Sequence, residues 1–250
     1  MKVCTLASGS SGNSLYLETG GSKILVDAGI SLRQIKLRLN SIDIDINDLD
    51  AVIISHEHID HTQALKRLEL PVYVSSNTLE LWKDNVKYLN EFDSETTFRI
   101  NDLIITPFSV PHDAIDPVGF TITDGLKKMG IVTDIGSVTN LVVNKLQGCN
   151  ILVIESNHDS ETLMYSVYPW PLKQRIKGRL GHLSNEQASE LLSRLVHDDL
   201  EHVFLAHLSK VNNSPLIAYK TAYNALESNG AANVNLNVAP GKTVGEVVSV

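Results

Sequence analysis

Short apolar runs recur along the chain, each bounded by polar or glycine-containing turns. "KVCTLAS", "NSLYLET" and "KILVDAG" read as closely spaced strands with Gly–Ser punctuation between them. Leu32, Ile35 and Leu39 then fall on one face at helical spacing, which predicts a helix over about 31–41. "DAVIIS" is a buried-type strand. A short helix over 62–68, the strand "PVYVS" and a helix "NTLELWKDNVKYL" follow it.

The plan then repeats. "DLIITPFSV", "VGFTIT", "KMGIVTD" and "NILVIES" are strand-like, with a helix over about 138–146 before the last of them. Ser184 with Gln187 three residues on forms a capping box, which opens a helix in "HLSNEQASELLSRLV". "HVFLAHLS" is a strand and "PLIAYKTAYNALES" a helix closed by Gly230, while "VNLNVAP" and "TVGEVVSV" finish as strands. Strands and helices thus alternate in two successive sets without a linker-like region. The expectation is one α/β domain over 1–250, a layered helix–sheet–sheet–helix sandwich. A single doubly wound sheet has the same periodicity.

Composition narrows the class. With 250 residues, 43 % hydrophobic and 20 % charged, the chain has the make-up of an ordinary globular protein. Its net charge of -8 argues against a chain-wide electrostatic grip on nucleic acid but leaves room for a local basic patch. Cys4 and Cys149 sit far apart in apolar runs, so they read as reduced core residues, and with no apolar window long enough for a membrane the expected location is cytoplasmic.

The chemistry concentrates in "SHEHIDH". His56, His58, Asp60 and His61 crowd onto one turn directly after a strand. A chance His-x-His-x-Asp-His is expected on the order of once in a thousand such chains, so a bound cation is the better account. His56 and His58 alternate as on an extended segment and can grip one ion. Asp60 and His61 point elsewhere, toward a second. His112 in "FSVPHDA", Asp134 in "GIVTDIG" and His207 in "FLAHLS" add donors of the same chemistry at strand ends. Taken singly, each also fits an ordinary strand-end or turn residue.

Taken together, these residues resemble the metallo-β-lactamase superfamily signature, and Asp27 in "ILVDAG" matches an aspartate which that superfamily carries early in the chain. The resemblance implies an αββα sandwich holding two divalent ions, with Zn or Mn suiting the donors and Fe also accepted. It implies that His56, His58 and His112 hold the first ion, that Asp60, His61 and His207 hold the second, and that Asp134 bridges. A metal-activated water is then the nucleophile, with Asp60 placed to orient or deprotonate it.

The long stretch between Asp134 and His207 selects the substrate. "GHLSNEQA" ahead of "FLAHLS" resembles the ribonuclease Z pattern, which implies proton transfer to the leaving oxygen by His182. Lys173, Arg175, Lys177 and Arg179 add four positive charges, suited to a polyanion or equally to a solvated helix face. Ser184, at a helix N-terminus, suits a phosphate, although its capping box accounts for it without one. With Asn185, Lys173, Arg175 and Arg179 it completes the substrate-binding candidates.

"ASGSSGNS" reads as a tight hairpin turn and lacks the Gly-Lys-Ser/Thr ending of a P-loop. Together with "ESNHD", "YPW" and "GHLSN" it resembles the YycJ/WalJ subgroup, which implies a DNA exonuclease working from the 5′ end; the sequence leaves monomer and homodimer both open. Asp134 stands only 22 positions after His112, too few for a tRNA-grasping arm. Hydrolysis of a small thioester, lactone or cyclic phosphodiester is the competing enzymatic reading, and a metal-stabilised binding module the non-enzymatic one.

Overall fold

A computed structural model describes residues 1–250, which form two compact units. The first comprises Met1–Ser109, Ala114–Lys127 and Pro240–Val250; the second comprises Val110–Asp113 and Lys128–Ala239. The strands gather into two sheets, as the two alternating sets of strand and helix predict.

In the first unit the chain runs through β1 (Lys2–Ala7), β2 (Ser14–Glu18), β3 (Lys23–Val26), α1 (Leu32–Asn40), β4 (Ala51–Ile53), α2 (Ile59–Thr62), β5 (Val72–Ser75) and β6 (Leu89–Phe92). β7 (Phe98–Ile100), β8 (Leu103–Ser109) and β9 (Val118–Thr123) follow as an antiparallel ladder. β1 to β3 pair antiparallel and β3 to β6 parallel. The change of direction places the loops after β3 and β4 side by side at the C-terminal ends of two parallel strands. Those loops carry Asp27 and the histidine-rich turn.

α1 forms where expected. Ser31 caps it by accepting from the Gln34 amide, and Ile35 and Leu39 are fully buried against the sheet. On the other side, Phe92 stacks on Phe98 at 5.2 Å and meets Phe120 edge-on at 5.8 Å, so ring packing ties β6 to the β7–β9 ladder.

The second unit holds β10 (Lys128–Val132), α3 (Asn140–Leu146), β11 (Ile151–Glu155), α4 (Ser160–Tyr165), α5 (Trp170–Lys177), α6 (Asn185–Leu195), β12 (His202–Ala206), α7 (Pro215–Ser228) and β13 (Asn235–Val238). β10 to β13 are all parallel, and β10, β11 and β12 are almost wholly buried, which is why they read as continuous apolar runs. The chain then returns to the first unit, where β14 (Val248–Ser249) pairs with β1.

Two expected helices are shorter than their patterns. Over 77–89 only a 3-10 turn forms, Ser76–Leu81, with the Thr78 hydroxyl donating to the Ser75 carbonyl at its start, and the chain enters β6 at Leu89. Over 62–68, α2 begins earlier and stops at Thr62, where the Ala64 amide turns to the Ala28 carbonyl. β6 and β7 are strands that the pattern did not indicate.

Cys4 and Cys149 are both fully buried, and burial pushes each thiol up to about 11. Neither should react with a water-soluble disulfide reagent in the native protein at pH 8, and both should react after unfolding in guanidinium. Native reactivity at either position would contradict this packing.

Candidate metal centre

In the first unit β4 ends at Ile53 and the chain turns through His56 and His58 into α2. His58 stands at the N-cap of α2 but makes no side-chain cap bond, so its ring is not spent on the helix. The His56 ring lies 4.6 Å from that of His58 and 4.1 Å from that of His61, with His56 and His61 buried. Three imidazoles packed this closely gather nitrogen donors in one place, the chemistry a divalent ion takes.

A buried carboxylate sets the tautomer of one of them. Asp27 directly follows β3 at φ +64°, and its Oδ2 lies 2.7 Å from His61 Nδ1. Its Oδ1 accepts from the Ser55 amide at 2.9 Å and from the Ser55 hydroxyl at 3.0 Å. Holding the proton on Nδ1 turns the Nε2 lone pair outward, the arrangement found behind metal-bound histidines. Asn13 Nδ2 reaches that Nε2 at 2.9 Å, while its Oδ1 accepts from the Gly9 amide. The Gly/Ser loop is thus more than a hairpin turn: Asn13 braces the site. Glu57 is not part of the ring cluster and accepts from the Ile115 amide at 2.9 Å.

In the second unit the donors again sit at strand ends. Asp134 lies two residues past β10 at φ +55°, and His207 follows β12 at φ +57°. Glu155, the last residue of β11, is fully buried, with Oε1 2.8 Å from Nδ1 of both His182 and His207. Its Oε2 accepts from the Ile135 amide at 3.0 Å and the Leu183 amide at 3.1 Å. Burial alone would raise this carboxyl; the two imidazoles outweigh it and hold Glu155 below the usual carboxylate range. In return Glu155 holds His182 above the ordinary imidazole value, against the opposing effect of burial.

Asp134 Oδ1 faces this group, 3.5 Å from His207 Nδ1 and 3.8 Å from His112 Nε2. His112 points its Nδ1 at the Gly181 carbonyl, 3.3 Å away, and burial lowers its pKa, so it too presents a neutral ring. Donor atoms of Asp134, Glu155, His182 and His207 lie within 4.8 Å of one another. Both Glu155 oxygens are already filled, so Glu155 orients ligands and is not itself one. In each unit, buried imidazoles are oriented through Nδ1 by a carboxylate, a donor set that fits a divalent ion of the Zn or Mn type.

The remaining candidates differ in availability. Ser184 and Gln187 complete the expected capping box. Asn185 is buried, bonded to Ser156 Oγ at 2.7 Å and to Asn213. Lys173 is also buried, its ammonium 2.7 Å from the carbonyls of Met164 and Ser166. Arg175 pairs with Asp113 at 2.6 Å, whereas Arg179 is exposed. Reading the sequence missed Asn13 and Glu155. The signal for Glu155 was present as a single acid at the end of the apolar run "ILVIES".

Glu155→Gln removes the charge and leaves one acceptor oxygen for two pairs of donors, the imidazoles on one side and the Ile135 and Leu183 amides on the other, and divalent-metal affinity should fall roughly 10- to 100-fold with the circular dichroism spectrum unchanged. Chelator competition measures it; undiminished affinity would remove Glu155 from the site. A Cβ at Gly29 would come within 1.5 Å of the Asp60 carbonyl oxygen. Gly29→Ala should therefore destabilise the protein by about 1–3 kcal/mol in denaturant melts, and an unchanged midpoint would contradict this close approach.

Comparison with known proteins agrees with this geometry. Residues 22–208 match the family model described as the beta-lactamase superfamily domain. The chain is 35 % identical to the exodeoxyribonuclease YycJ of Bacillus anthracis, covering 90 % of this chain and 89 % of the relative. It is 38 % identical to the exodeoxyribonuclease WalJ of Streptococcus pneumoniae serotype 2 (strain D39), covering 90 % and 88 %. Among solved structures, the metallo-beta-lactamase fold protein YhfI from Bacillus subtilis covers 99 % of this chain and 98 % of its own at a TM-score of 0.77 and 18 % identity, a likeness of fold. The α/β fold with two helix-flanked sheets is therefore the expected one, and the chain belongs to the metallo-β-lactamase superfamily, within its YycJ/WalJ-like group.

Proposed function

We propose that the chain, acting as one catalytic domain over 1–250, is a divalent-metal-dependent exodeoxyribonuclease that removes nucleotides from the 5′ end of DNA. In this reading His56, His58 and His112 serve one ion, Asp60, His61 and His207 a second, and Asp134 both. The assignment rests on the order of these residues along the chain and on the family. The relatives named as exodeoxyribonucleases, matched over nine-tenths of both chains, support DNA as the substrate. The observation that carries the chemistry is the Glu155 carboxylate shared between Nδ1 of His182 and Nδ1 of His207.

When bound, such ions make water acidic near neutral pH and offset charge on the phosphate oxygens. The chain's own residues supply the proton traffic. Asp60, at the first turn of α2 and partly exposed, accepts the proton of the attacking water. His182, with 23 % of its side chain exposed, keeps Nδ1 on Glu155 and donates from Nε2 to the departing 3′ oxygen. Glu155 stays ionised throughout and holds the ring charged until that transfer. No helix of the chain is long and apolar enough to cross a membrane, which suits a cytoplasmic enzyme acting on DNA, as monomer or homodimer.

Incubation of 5′- and 3′-labelled DNA duplexes with Mn²⁺ tests the reading, with release of mononucleotides from the 5′ end as the expected result. Asp60→Ala and His182→Ala should each lower turnover about 100- to 10,000-fold. Intact DNA and intact bis(p-nitrophenyl) phosphate, with metal shown to be bound, would overturn it, and hydrolysis of a thioester or lactone alone would reassign the substrate.

A further inference from the structure

Between β11 and α6 the chain leaves the second unit's cluster and comes back to it. The Asn157 amide donates to the Leu183 carbonyl at 3.0 Å, and His158 bridges to Ser184, so the two ends of the excursion are joined beside Glu155 and His182. The return is fixed closely. A Cβ at Gly136 would meet the Arg179 carbonyl oxygen at 2.4 Å, and the Ser137 hydroxyl donates to that same carbonyl.

Inside the excursion, α4 and α5 are held together by a lysine. Lys173 is 8 % exposed, and its ammonium donates to the Met164 and Ser166 carbonyls at 2.7 Å each. An apolar side chain would ordinarily take such a position. Leu163 in α4 is buried, whereas three large apolar groups face solvent: Tyr165 is 84 %, Val167 91 % and Trp170 58 % exposed. Lys177 and Arg179 are exposed on the same excursion, and no acid occurs from residue 162 to 185 in a chain of net charge -8. The acids at its start are Asp159, which caps α4, and the exposed Glu161; Asp113, which faces α5, is engaged by Arg175.

We propose that the α4–α5 excursion is a stacking platform for the unpaired bases of a single-stranded nucleic acid end, with Tyr165 and Trp170 receiving bases and Lys177 and Arg179 following the phosphates. The proposal rests on the nuclease reading and adds the form of the substrate, a strand with bases splayed out ahead of the site. Exposed rings interleaved with cations suit a ligand having an aromatic face and a negative charge at each repeat. The C-terminal end of α5 abuts His182, whose amide donates to the Ile176 carbonyl at 2.9 Å, so a strand following α5 toward that end approaches the group that would protonate its leaving oxygen.

The test is fluorescence anisotropy with Mn²⁺ present, comparing a short single-stranded phosphorothioate oligonucleotide with an abasic strand of the same length and charge. Tyr165→Ala and Trp170→Ala should each weaken the base-bearing strand roughly tenfold and leave the abasic strand unchanged. Tyr165→Phe, which keeps the ring, should bind as the unaltered chain does. Arg179→Ala should weaken both strands alike and lower the salt slope by about 0.7. Equal losses on both strands for the ring variants, or none, would overturn the platform. So would a dimer in sedimentation that the ring variants dissociate without losing affinity, because the rings would then serve a second copy of this chain. Cleavage of labelled DNA and of bis(p-nitrophenyl) phosphate by the unaltered chain reports separately on the nuclease reading. Cleavage with base-blind binding sinks the platform alone, and base-dependent binding without cleavage sinks the nuclease alone.

Discussion

The chemistry in each unit depends on a buried carboxylate whose solvation has been replaced by fixed donors. Glu155 is fully buried, yet each of its oxygens has two partners: two backbone amides on Oε2 and two imidazoles on Oε1. Removing a carboxylate from water costs several kcal/mol unless such bonds replace it. The substitution has a consequence beyond stability. Each imidazole that lends its Nδ1 proton must present Nε2 outward, so one buried charge orients a metal-ligand candidate and a proton donor together. Asp27 does the same for His61 with one histidine and the Ser55 amide and hydroxyl.

These carboxylates also explain where the backbone is unusual. Of the five non-glycine residues at positive φ, three are Asp27, Asp134 and His207, each within two residues of a strand's C-terminal end. A left-handed residue other than glycine costs about 1–2 kcal/mol. Here it turns the side chain back across the strand ends, where extended backbone would carry it away. The cost falls on residues whose side chains meet other site residues: Asp27 with Ser55 and His61, and His207 with Glu155.

Much of this was legible in the sequence because the signals are local. The His-x-His-x-Asp-His turn, the strand-end His112, Asp134 and His207, the capping box at Ser184 and the α7 limits all depend on neighbours within a few residues. Asn13 and Glu155 were missed because their partners are distant: Asn13 meets His61, 48 residues away, and Glu155 meets His207, 52 residues away. The shortened helices escaped notice because tertiary partners end what periodicity would continue: the chain enters β6 at Leu89, and after Thr62 the Ala64 amide bonds the distant Ala28 carbonyl.

The basic run shows how a charge pattern resolves only once partners are known. Its four cations look alike in sequence and differ in the fold. Lys173 is internal and satisfies two carbonyls, Arg175 is matched by Asp113, and Lys177 and Arg179 are exposed. A merely solvated helix face would keep its cations outside and its apolar residues in. This segment departs from that order at four positions: Leu163 is buried as expected, but Lys173 is inside and Tyr165, Val167 and Trp170 are outside. Full burial of a large apolar side chain is worth about 1.5–3 kcal/mol, most of which Tyr165 and Val167 forgo and about half of which Trp170 forgoes. Ile59 and Leu126 are as exposed elsewhere in the chain, so exposure by itself says little; what sets this surface apart is that its rings stand among cations, with no acid from residue 162 to 185.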